Sequence, residues 1–331
     1  MRALRARRCF ASFVLLAVSM PLLAQPAAAP SHASSNWPER PIRLVIPYPP
    51  GGNADTLGRV LAERLRDHLK GSVVAENRPG ATTQLGTEIV ARAAPDGYTL
   101  LLAAATAFTV LPNLRKVPYD PANDFEIAGG VASIVPIVAV RNDLGVGSLS
   151  QFIDLARREP GKLTFGSAGQ ASVGHISAEI LKHAAGIDLL HVPYKGSNEL
   201  ITAISSGEID LIIDGVGLGL ARSGRAVALA AFAESRHPEL PTVPTLAEAG
   251  LQVVIPASGF SVMAPRGTPH AIMDGISAAL EASLAEPETR ERLMRASLQA
   301  GWAPPDAYRQ KLATTRAHFA DLLKTIDAVA K

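Results

Sequence analysis

The chain has 331 residues, with 32 basic side chains against 30 acidic ones and a single cysteine, Cys9. A charge balance this close to neutral gives no argument for nucleic-acid binding, so no nucleic-acid partner is expected. One cysteine cannot form an intramolecular disulfide, so the core must stabilise the fold, and about 300 residues suffice for one large or two ordinary domains.

The first 33 residues have the order of a secretory signal. The run from Phe10 to Ala24 is uncharged, small residues follow it, and four arginines precede it, namely Arg2, Arg5, Arg7 and Arg8. A bilayer span needs roughly 20 apolar residues, so we favour a removed signal over a retained membrane anchor. Its removal leaves 28 basic residues against 30 acidic ones, and it leaves no thiolate nucleophile and no cysteine metal site.

The stretch over 41–70 organises the rest of the chain. The apolar run Ile42–Ile46 predicts a buried strand, and Pro49-Pro50-Gly51-Gly52 requires a sharp turn. Asn53 and Asp55 supply helix-capping chemistry for the helical spacing that follows. Amides at such a helix N-terminus can hold an anion, although an ordinary turn that binds nothing explains the local sequence equally well.

The following segments predict a doubly wound parallel sheet. A strand over 72–76, a helix over 84–93 and a strand over 98–105 continue the alternation of the opening unit. The apolar run over 126–141 is long enough to pass from one lobe of the protein to another.

A second strand–turn–helix unit begins the other half of the chain. Residues 162–165 predict a strand, 166–171 a turn of small residues, and Ser172 the N-cap of a helix. The remaining pattern predicts strands over 188–192, 210–213 and 225–233, an extended return over 253–264, and helices over 148–158, 198–206, 245–249, 269–285, 288–300 and 305–330. Two such halves would face each other across a cleft, which is a favoured ligand location.

The candidate reactive groups form no catalytic or metal-binding motif. Ser167 lacks the glycine two residues before it that a nucleophile elbow requires, and the glycines at 215, 217 and 219 lack the spacing of a dinucleotide site. His175 and Glu179 lie one helical turn apart without a third ligand nearby in sequence. We therefore predict no catalytic residue, no metal and no cofactor.

The polar groups suit ligand recognition instead. Lys195 and Asp214 follow predicted strands, where they either contact a ligand or bridge each other. Asp55 is interpreted as a helix cap rather than a general base, because acids are common in the first turn of a helix. Hydroxyls, Asn53 and backbone amides can surround a carboxylate without a buried cation, through several charge-assisted hydrogen bonds.

Several collinear motifs resemble those of one family. The run RPIRLVIPYPPGGNAD at 40–55 is similar to the opening signature of the Bug-type receptors, the periplasmic solute-binding proteins of the tripartite tricarboxylate transporter family. Further matches are VVAENRPGA at 73–81, PDGYTLLLA at 95–103, VPYDPANDF at 117–125, KLTFGSAGQASVGH at 162–175, HVPYKG at 191–196, LPTVPTLAEAG at 240–250 and APRGTP at 264–269.

The resemblance implies an α/β fold with two lobes and doubly wound sheets, of the type II periplasmic-binding-protein (venus-flytrap) kind. Residues 34–140 and 258–331 would form the first lobe and 141–257 the second. The implied function is a monomeric periplasmic receptor that captures a small carboxylate, either an organic acid or an amino acid, for a membrane permease of one large and one small subunit. The alternatives are a periplasmic sensor and a hydrolase, and a hydrolase would need an activated nucleophile.

The resemblance also implies ligand contacts on both lobes. In the first lobe they are Tyr48, Pro49, Pro50, Gly51, Gly52, Asn53, Asp55, Ala81, Thr82, Thr83 and Thr106, and in the second Ser167, Ala168, Ser172, His175, Tyr194, Lys195 and Asp214. Two departures bear on the size and shape of the ligand. Ala81-Thr82-Thr83 stands where the family usually has Ala-Gly-Gly, and Gly259 and Ser261 occupy a stretch where a Trp and a Gly are common.

Overall fold

The computed structural model describes residues 37–325 apart from 254, 256 and 257. The predicted signal over 1–33 and the last six residues lie outside the described residues. None of the helices in the described part is both long and apolar enough to cross a membrane.

The strands form two separate sheets. In chain order they are β1 (Ile42–Ile46), β2 (Val73–Asn77), β3 (Thr99–Ala104), β4 (Phe125–Ser133), β5 (Ile137–Val140), β6 (Thr164–Ser167), β7 (Leu190–Pro193), β8 (Leu211–Asp214), β9 (Val227–Ala231), β10 (Gly259–Pro265) and β11 (Gln299–Ala303). The first sheet has the order β11-β4-β10-β3-β1-β2 and the second β7-β6-β8-β5-β9. Two mixed sheets, each with its own helices, make a two-lobed α/β fold.

Helices connect the strands of both sheets. They are α1 (Asn53–Leu69), α2 (Gln84–Ala91), α3 (Thr106–Thr109), α4 (Leu111–Leu114), α5 (Leu149–Arg158), α6 (Val173–Ala185), α7 (Ser197–Ser206), α8 (Val216–Arg222), α9 (His270–Ala285), α10 (Pro287–Arg295) and α11 (Pro305–Thr325). Helix α1 crosses between the parallel strands β1 and β2, and β6 lies parallel to both β7 and β8. These parallel units bring the carboxyl ends of their strands to one edge of each sheet.

The chain passes between the lobes twice, and the first passage comes earlier than predicted. The four residues of β5 pair with β8 and β9 in the second sheet, so the predicted boundary after residue 140 is wrong and the passage lies between Ser133 and Ile137. The return leads into β10, which pairs with β3 and β4. Ile134 and Ser258 link the two passages, because the Ile134 amide donates to the Ser258 carbonyl at 2.9 Å.

Each lobe has an apolar core, and one cluster joins them. All six residues of β3 are buried, as the uninterrupted apolar run predicts. The core of the second lobe also includes Val110 and Leu111, at the α3–α4 turn of the first lobe, and Phe319 of α11. The C-terminal helix therefore packs against both lobes.

Two predicted helices differ from the structure. Within the helix predicted over 245–249, Thr245 forms an isolated bridge with Ala231, and residues 246–250 form a turn. The helix predicted over 288–300 ends at Arg295, and 299–303 forms the edge strand β11 against β4. Ser297 adopts a left-handed φ of 58°, which ends the helical path between them.

Candidate functional site

The turn between β1 and α1 presents a helix N-terminus to the space between the lobes. Gly52 is the N-cap of α1, and Gly51 has a left-handed φ of 90° that glycine adopts without strain. The first amides of a helix have no acceptor within it, so those of Asn53 and Ala54 remain available to an anion.

Asp55 stabilises this turn from inside the lobe. Its carboxylate accepts hydrogen bonds from the Gly51 amide at 2.8 Å, Arg59 Nε at 3.0 Å and Asn77 Nδ2 at 2.8 Å, and the residue is 5% exposed. Burial alone would raise the pKa of Asp55, but the hydrogen bonds from Arg59, Gly51 and Asn77 outweigh it and lower the pKa. Asp55 therefore positions the turn between β1 and α1.

The loop before α2 is strained where the family usually has glycine. Ala81, Thr82 and Thr83 have φ values of 45°, 53° and 72°, three consecutive left-handed residues after Gly80. This conformation costs an ordinary residue roughly 1–2 kcal/mol and is hardest for β-branched side chains. Arg115 Nη2 donates to Thr82 Oγ1 at 3.2 Å, and Thr87 Oγ1 donates to the Thr83 carbonyl at 2.9 Å. Thr82 and Thr83 therefore hold a left-handed backbone conformation that glycine would adopt without strain.

Replacing both threonines with glycine should relieve this strain. For Thr82→Gly/Thr83→Gly we expect the free energy of unfolding to rise by about 1 kcal/mol, because relief of left-handed strain exceeds the entropy that glycine adds to the unfolded chain. Urea denaturation measures the change. The exposed Thr314→Gly in α11 is the control and should lose about 0.5 kcal/mol through helix propensity. A loss of stability in the double variant would contradict the strain argument.

The turn between β6 and α6 is the counterpart in the second lobe. Ser172 is the N-cap of α6, as predicted, and its Oγ accepts from the His175 amide at 3.3 Å. Gly169 and Ala171 have left-handed φ values of 107° and 59°, which fold the turn tightly under the helix. The Val173 and Gly174 amides at the start of α6 have no acceptor within the helix.

Ser167 lies beneath this turn and does not head it. Strand β6 extends two residues beyond its predicted end, so Ser167 is its last residue and is 0% exposed. Its Oγ lies 2.7 Å from His191 Nε2 and donates to the Gly169 carbonyl at 3.0 Å. Ser167 therefore does not face the cleft, although the resemblance implies it as a ligand contact.

A stack of rings supports the turn from below. The ring of His191 lies 4.3 Å from that of His175 and 4.7 Å from that of Phe165, centroid to centroid. His175 Nδ1 accepts from the Ala171 amide at 3.2 Å. Burial lowers the pKa of His175 to about 4, and the charge of Lys182 adds to this effect. Burial also lowers the pKa of His191 to about 4, with His175 as the second cause. The two imidazoles are therefore neutral at pH 7 and each holds one side of the turn.

The histidine stack predicts an acid-sensitive fold. The folded protein keeps both imidazoles neutral down to about pH 4, whereas an unfolded chain protonates them near pH 6.5, so the unfolded state binds more protons between these values. The free energy of unfolding should fall as pH falls through this window. Urea denaturation of His175→Phe/His191→Phe should show a weaker pH dependence than the parent between pH 6.5 and 4. The exposed His183→Gln should retain the parent's profile, and identical slopes in all three proteins would contradict the prediction.

Several ionisable residues line the cleft, among them Lys195, Glu199, Asp214 and Tyr48. The Lys195 amide donates to Glu199 Oε2 at 3.0 Å, and among the described residues no carboxylate forms an ion pair with its ammonium group. Asp214 accepts from the Val216 amide at 3.1 Å, and its burial raises its pKa. The alternative in which Lys195 and Asp214 bridge each other is thus not seen in the described part. Burial also raises the pKa of Tyr48, with the Asp214 charge adding to the effect.

The two turns enclose a pair of adjoining compartments between the lobes. The larger holds about 540 Å³ and the smaller about 160 Å³. Both are lined by residues of each lobe, and six residues belong to both linings, namely Tyr48, Pro49, Thr106, Ala168, Ser172 and Lys195. The turn before α1 and the turn before α6 therefore meet in one cleft.

Most of the predicted site residues line these compartments. Ala81, Thr82, Thr83 and Tyr194 line the larger one, and Pro50, Gly52, Asn53 and Asp214 the smaller. Gly51, Asp55, Ser167 and His175 line neither. The side chains of the last three point into the lobes, and Gly51 lines a separate hollow beside Asn198.

The start of the helix after the predicted strand over 188–192, and the passages between the lobes, also reach the cleft, although none of their residues was predicted as a contact. Ser197, Asn198 and Glu199 at the start of α7 line the smaller compartment, as do Ile134 and Ser258. Gly196 before a helical pattern was the available signal for the first group. His191 had no signal, because its role depends on the parallel pairing of β6 with β7.

The cleft offers hydrogen-bond donors rather than a metal centre. In the part of the chain that the structure describes, no cluster of three His, Cys, Asp or Glu side chains is arranged to hold a metal ion. Lys195 is the cationic side chain of both linings, and proline, alanine and leucine side chains make up much of the larger wall. Such a site suits an anion with an apolar body.

Comparisons with known proteins agree with this geometry. The model of the tripartite tricarboxylate transporter family receptor matches residues 57–327. Protein BugT of Bordetella pertussis is 35% identical over 259 residues, which cover 77% of this chain and 79% of BugT.

Two solved structures with ligands share the fold. A protein of R. palustris solved with adipate has a TM-score of 0.84 and 32% identity, and the match covers 88% of this chain and 99% of that one. MatC of Rhodopseudomonas palustris with bound malate has a TM-score of 0.81 and 27% identity, with coverage of 87% and 100%. Adipate and malate are both small dicarboxylates.

Proposed function

The chain belongs to the tripartite tricarboxylate transporter receptor family, and we propose that it captures a small carboxylate, an organic acid or an amino acid, in the cleft between its lobes. As a member of this family it is a periplasmic solute-binding receptor that works with a transporter in the membrane. The observation that supports the ligand class is the meeting of two helix N-termini and Lys195 around one cleft.

The contacts on this ligand are proposed to come from both turns. The amides at the start of α1 and α6 and the hydroxyl of Ser172 surround one carboxylate, and Lys195 adds a charge-assisted hydrogen bond. The larger compartment then takes the rest of the molecule. At about 540 Å³ it lies within the range of small-molecule sites, and its apolar wall favours an acid with a carbon chain or ring.

The receptor is proposed to act as a monomer that closes its lobes on the ligand and delivers it to a permease of one large and one small subunit. Export of the chain would use the segment 1–33 as a removed signal, in line with its arginines and apolar run. The first lobe is proposed to comprise 34–136 and 258–331, with the second between them.

We further propose that the protein carries out no reaction on its ligand. The distance of 2.7 Å between Ser167 Oγ and His191 Nε2 resembles that of a nucleophile and its base. Ser167 is nevertheless fully buried beneath the turn, so no substrate in the cleft reaches its hydroxyl. This argues against the hydrolase alternative.

A thermal-shift screen of dicarboxylates, tricarboxylates, aromatic acids and amino acids tests the function. A carboxylate that binds only the folded state should raise the melting temperature as its concentration increases, and the compound should be recovered unchanged by mass spectrometry. The matched control is the corresponding amide, for example adipamide against adipate. Equal shifts with acid and amide, or no shift with any acid, would contradict the proposal, and turnover would restore the enzyme alternative.

A further inference from the structure

A second concave surface, distinct from the ligand compartments, carries arginines from both lobes. One hollow of about 440 Å³ is lined by Arg292 and Arg295 of the first lobe and by Arg225 of the second. An adjoining hollow of about 320 Å³ shares Arg292 and Arg295 and adds Arg59. We call the surface formed by these four residues the arginine groove. No aspartate or glutamate in the described part of the chain lines either hollow.

The carboxylates that pair with these arginines stand outside the groove lining. Asp55 accepts from Arg59 Nε at 3.0 Å, Glu63 accepts from Arg292 Nη2 at 2.8 Å, and Glu291 pairs with Arg295. Arg225 differs from the other three, because its Nε donates to Ser223 Oγ at 3.1 Å and no ion pair of Arg225 occurs among the described residues. The groove therefore presents four guanidinium groups to solvent. The three carboxylates that pair with them leave one of the four positive charges unneutralised.

The floor of the groove is a contact between the lobes. A methyl group at Gly51 would lie 2.5 Å from Asn198 Nδ2, and one at Gly215 would lie 3.3 Å from Asn53 Nδ2. Asn53 and Asn198 line both the groove and the smaller ligand compartment. Separation of the lobes would thus divide the groove, with Arg225 on one side and the other arginines on the other.

One buried donor on this floor has no acceptor. Asn53 Nδ2 is shielded from solvent and makes no hydrogen bond within the described part of the protein. A buried amide group without a partner is unfavourable, because the hydrogen bonds that it made to water are not replaced. This unpaired donor lies where the floor of the groove meets the smaller ligand compartment, at the contact between the lobes.

We propose that the arginine groove is a docking surface for an acidic segment of the membrane partner, complete only when the lobes are closed. Guanidinium groups bind carboxylates through two parallel hydrogen bonds, which gives Arg a geometric preference for Asp and Glu side chains. Four such groups on α1, α10 and the turn after α8 extend over two adjoining hollows. An extended peptide with several carboxylates matches this spread better than one small anion does.

The same charges couple docking to ligand capture. Closure brings Arg225 to the same hollow as Arg292 and Arg295, so repulsion between like charges opposes it. An acidic segment removes this repulsion and therefore binds the closed form more tightly. Binding at the two sites is therefore linked. A carboxylate that closes the lobes raises the affinity of the groove for the acidic segment, and the segment raises the affinity of the cleft for the carboxylate by the same factor.

Fluorescence anisotropy with a labelled hexaglutamate peptide tests the proposal on the mature protein at low ionic strength. We expect the peptide to bind about fivefold more tightly when the strongest carboxylate of the thermal-shift screen saturates the cleft. Arg225→Gln should weaken peptide binding and remove this dependence on carboxylate. The exposed Arg158→Gln, at the end of α5 in the same lobe, is the control that should behave as the parent does.

Three results would overturn the proposal. They are equal peptide affinity with and without carboxylate, equal losses in Arg225→Gln and Arg158→Gln, and reproduction of the coupling by inorganic phosphate at the same ionic strength. The last would identify a site for small anions. If no carboxylate binds the cleft, the proposed function fails, while the comparison of the two arginine variants still tests the groove.

Discussion

Replacement of Lys195 with methionine is expected to weaken carboxylate binding by roughly 10- to 100-fold, as measured by isothermal titration calorimetry. Lys195 is the cationic side chain that lines both ligand compartments, and no carboxylate of the described residues forms an ion pair with it. A hydrogen bond to a charged group contributes about 1.5–3 kcal/mol, and each 1.4 kcal/mol corresponds to a factor of ten. The free energy of unfolding should change little, because no buried partner loses its charge.

Two further variants separate the role of Lys195 from a general effect of charge. Lys162→Met removes an exposed lysine of the same lobe and should leave the dissociation constant unchanged. Lys195→Arg keeps the charge but alters the donor geometry, so it should recover only part of the affinity. Binding by Lys195→Met as tight as by the parent would show that the amides and hydroxyls alone hold the ligand.

Gly174→Ala is expected to lower both stability and affinity. A methyl group at Gly174 would lie 2.7 Å from the carbonyl oxygen of Ile213, a backbone atom of the buried strand β8. The strand cannot retreat, so the start of α6 must move, at a cost of about 1–3 kcal/mol in the free energy of unfolding. The same movement displaces Ser172 and the Val173 amide from the cleft. Urea denaturation and calorimetry measure the two effects, and we expect about a tenfold loss of carboxylate affinity.

Gly275→Ala is the matched control for this substitution. Gly275 lies within α9, and a methyl group there would have no neighbour within 4 Å. Alanine should raise the free energy of unfolding by about 0.5–1 kcal/mol through helix propensity and leave ligand binding unchanged. If Gly174→Ala gained stability as Gly275→Ala does, the close packing of α6 on β8 would not be a constraint on the site.

These expectations all depend on how α1 and α6 are held, which the sequence indicated only in part. The glycine turn at 49–52 and the N-cap Ser172 are local signals, because their chemistry depends on a few adjacent residues. By contrast, the direction in which the side chain of Ser167 points depends on the residue at which β6 ends. Strand β6 continues to Ser167, and these two additional residues turn its hydroxyl from the cleft to His191.

The same contrast applies to the strained loop and to the edge of the first sheet. That Ala81-Thr82-Thr83 departs from the usual Ala-Gly-Gly was evident from the residues, but the left-handed φ values that make the departure costly appear only in the folded backbone. Likewise the pattern over 288–300 is helical by composition, yet pairing with β4 makes a strand of Gln299–Ala303. Long-range pairing overrides local propensity at such positions.

The sequence by itself determined the fold class, the two strand–turn–helix junctions and the family, because these depend on local periodicity, on turn residues and on collinear motifs. The tertiary structure alone decided which side chains face the cleft, how the histidine stack supports the second turn, and that four arginines from both lobes share one groove. The physical reason is that burial and electrostatic fields arise between residues far apart in the chain, whose separation no local pattern encodes.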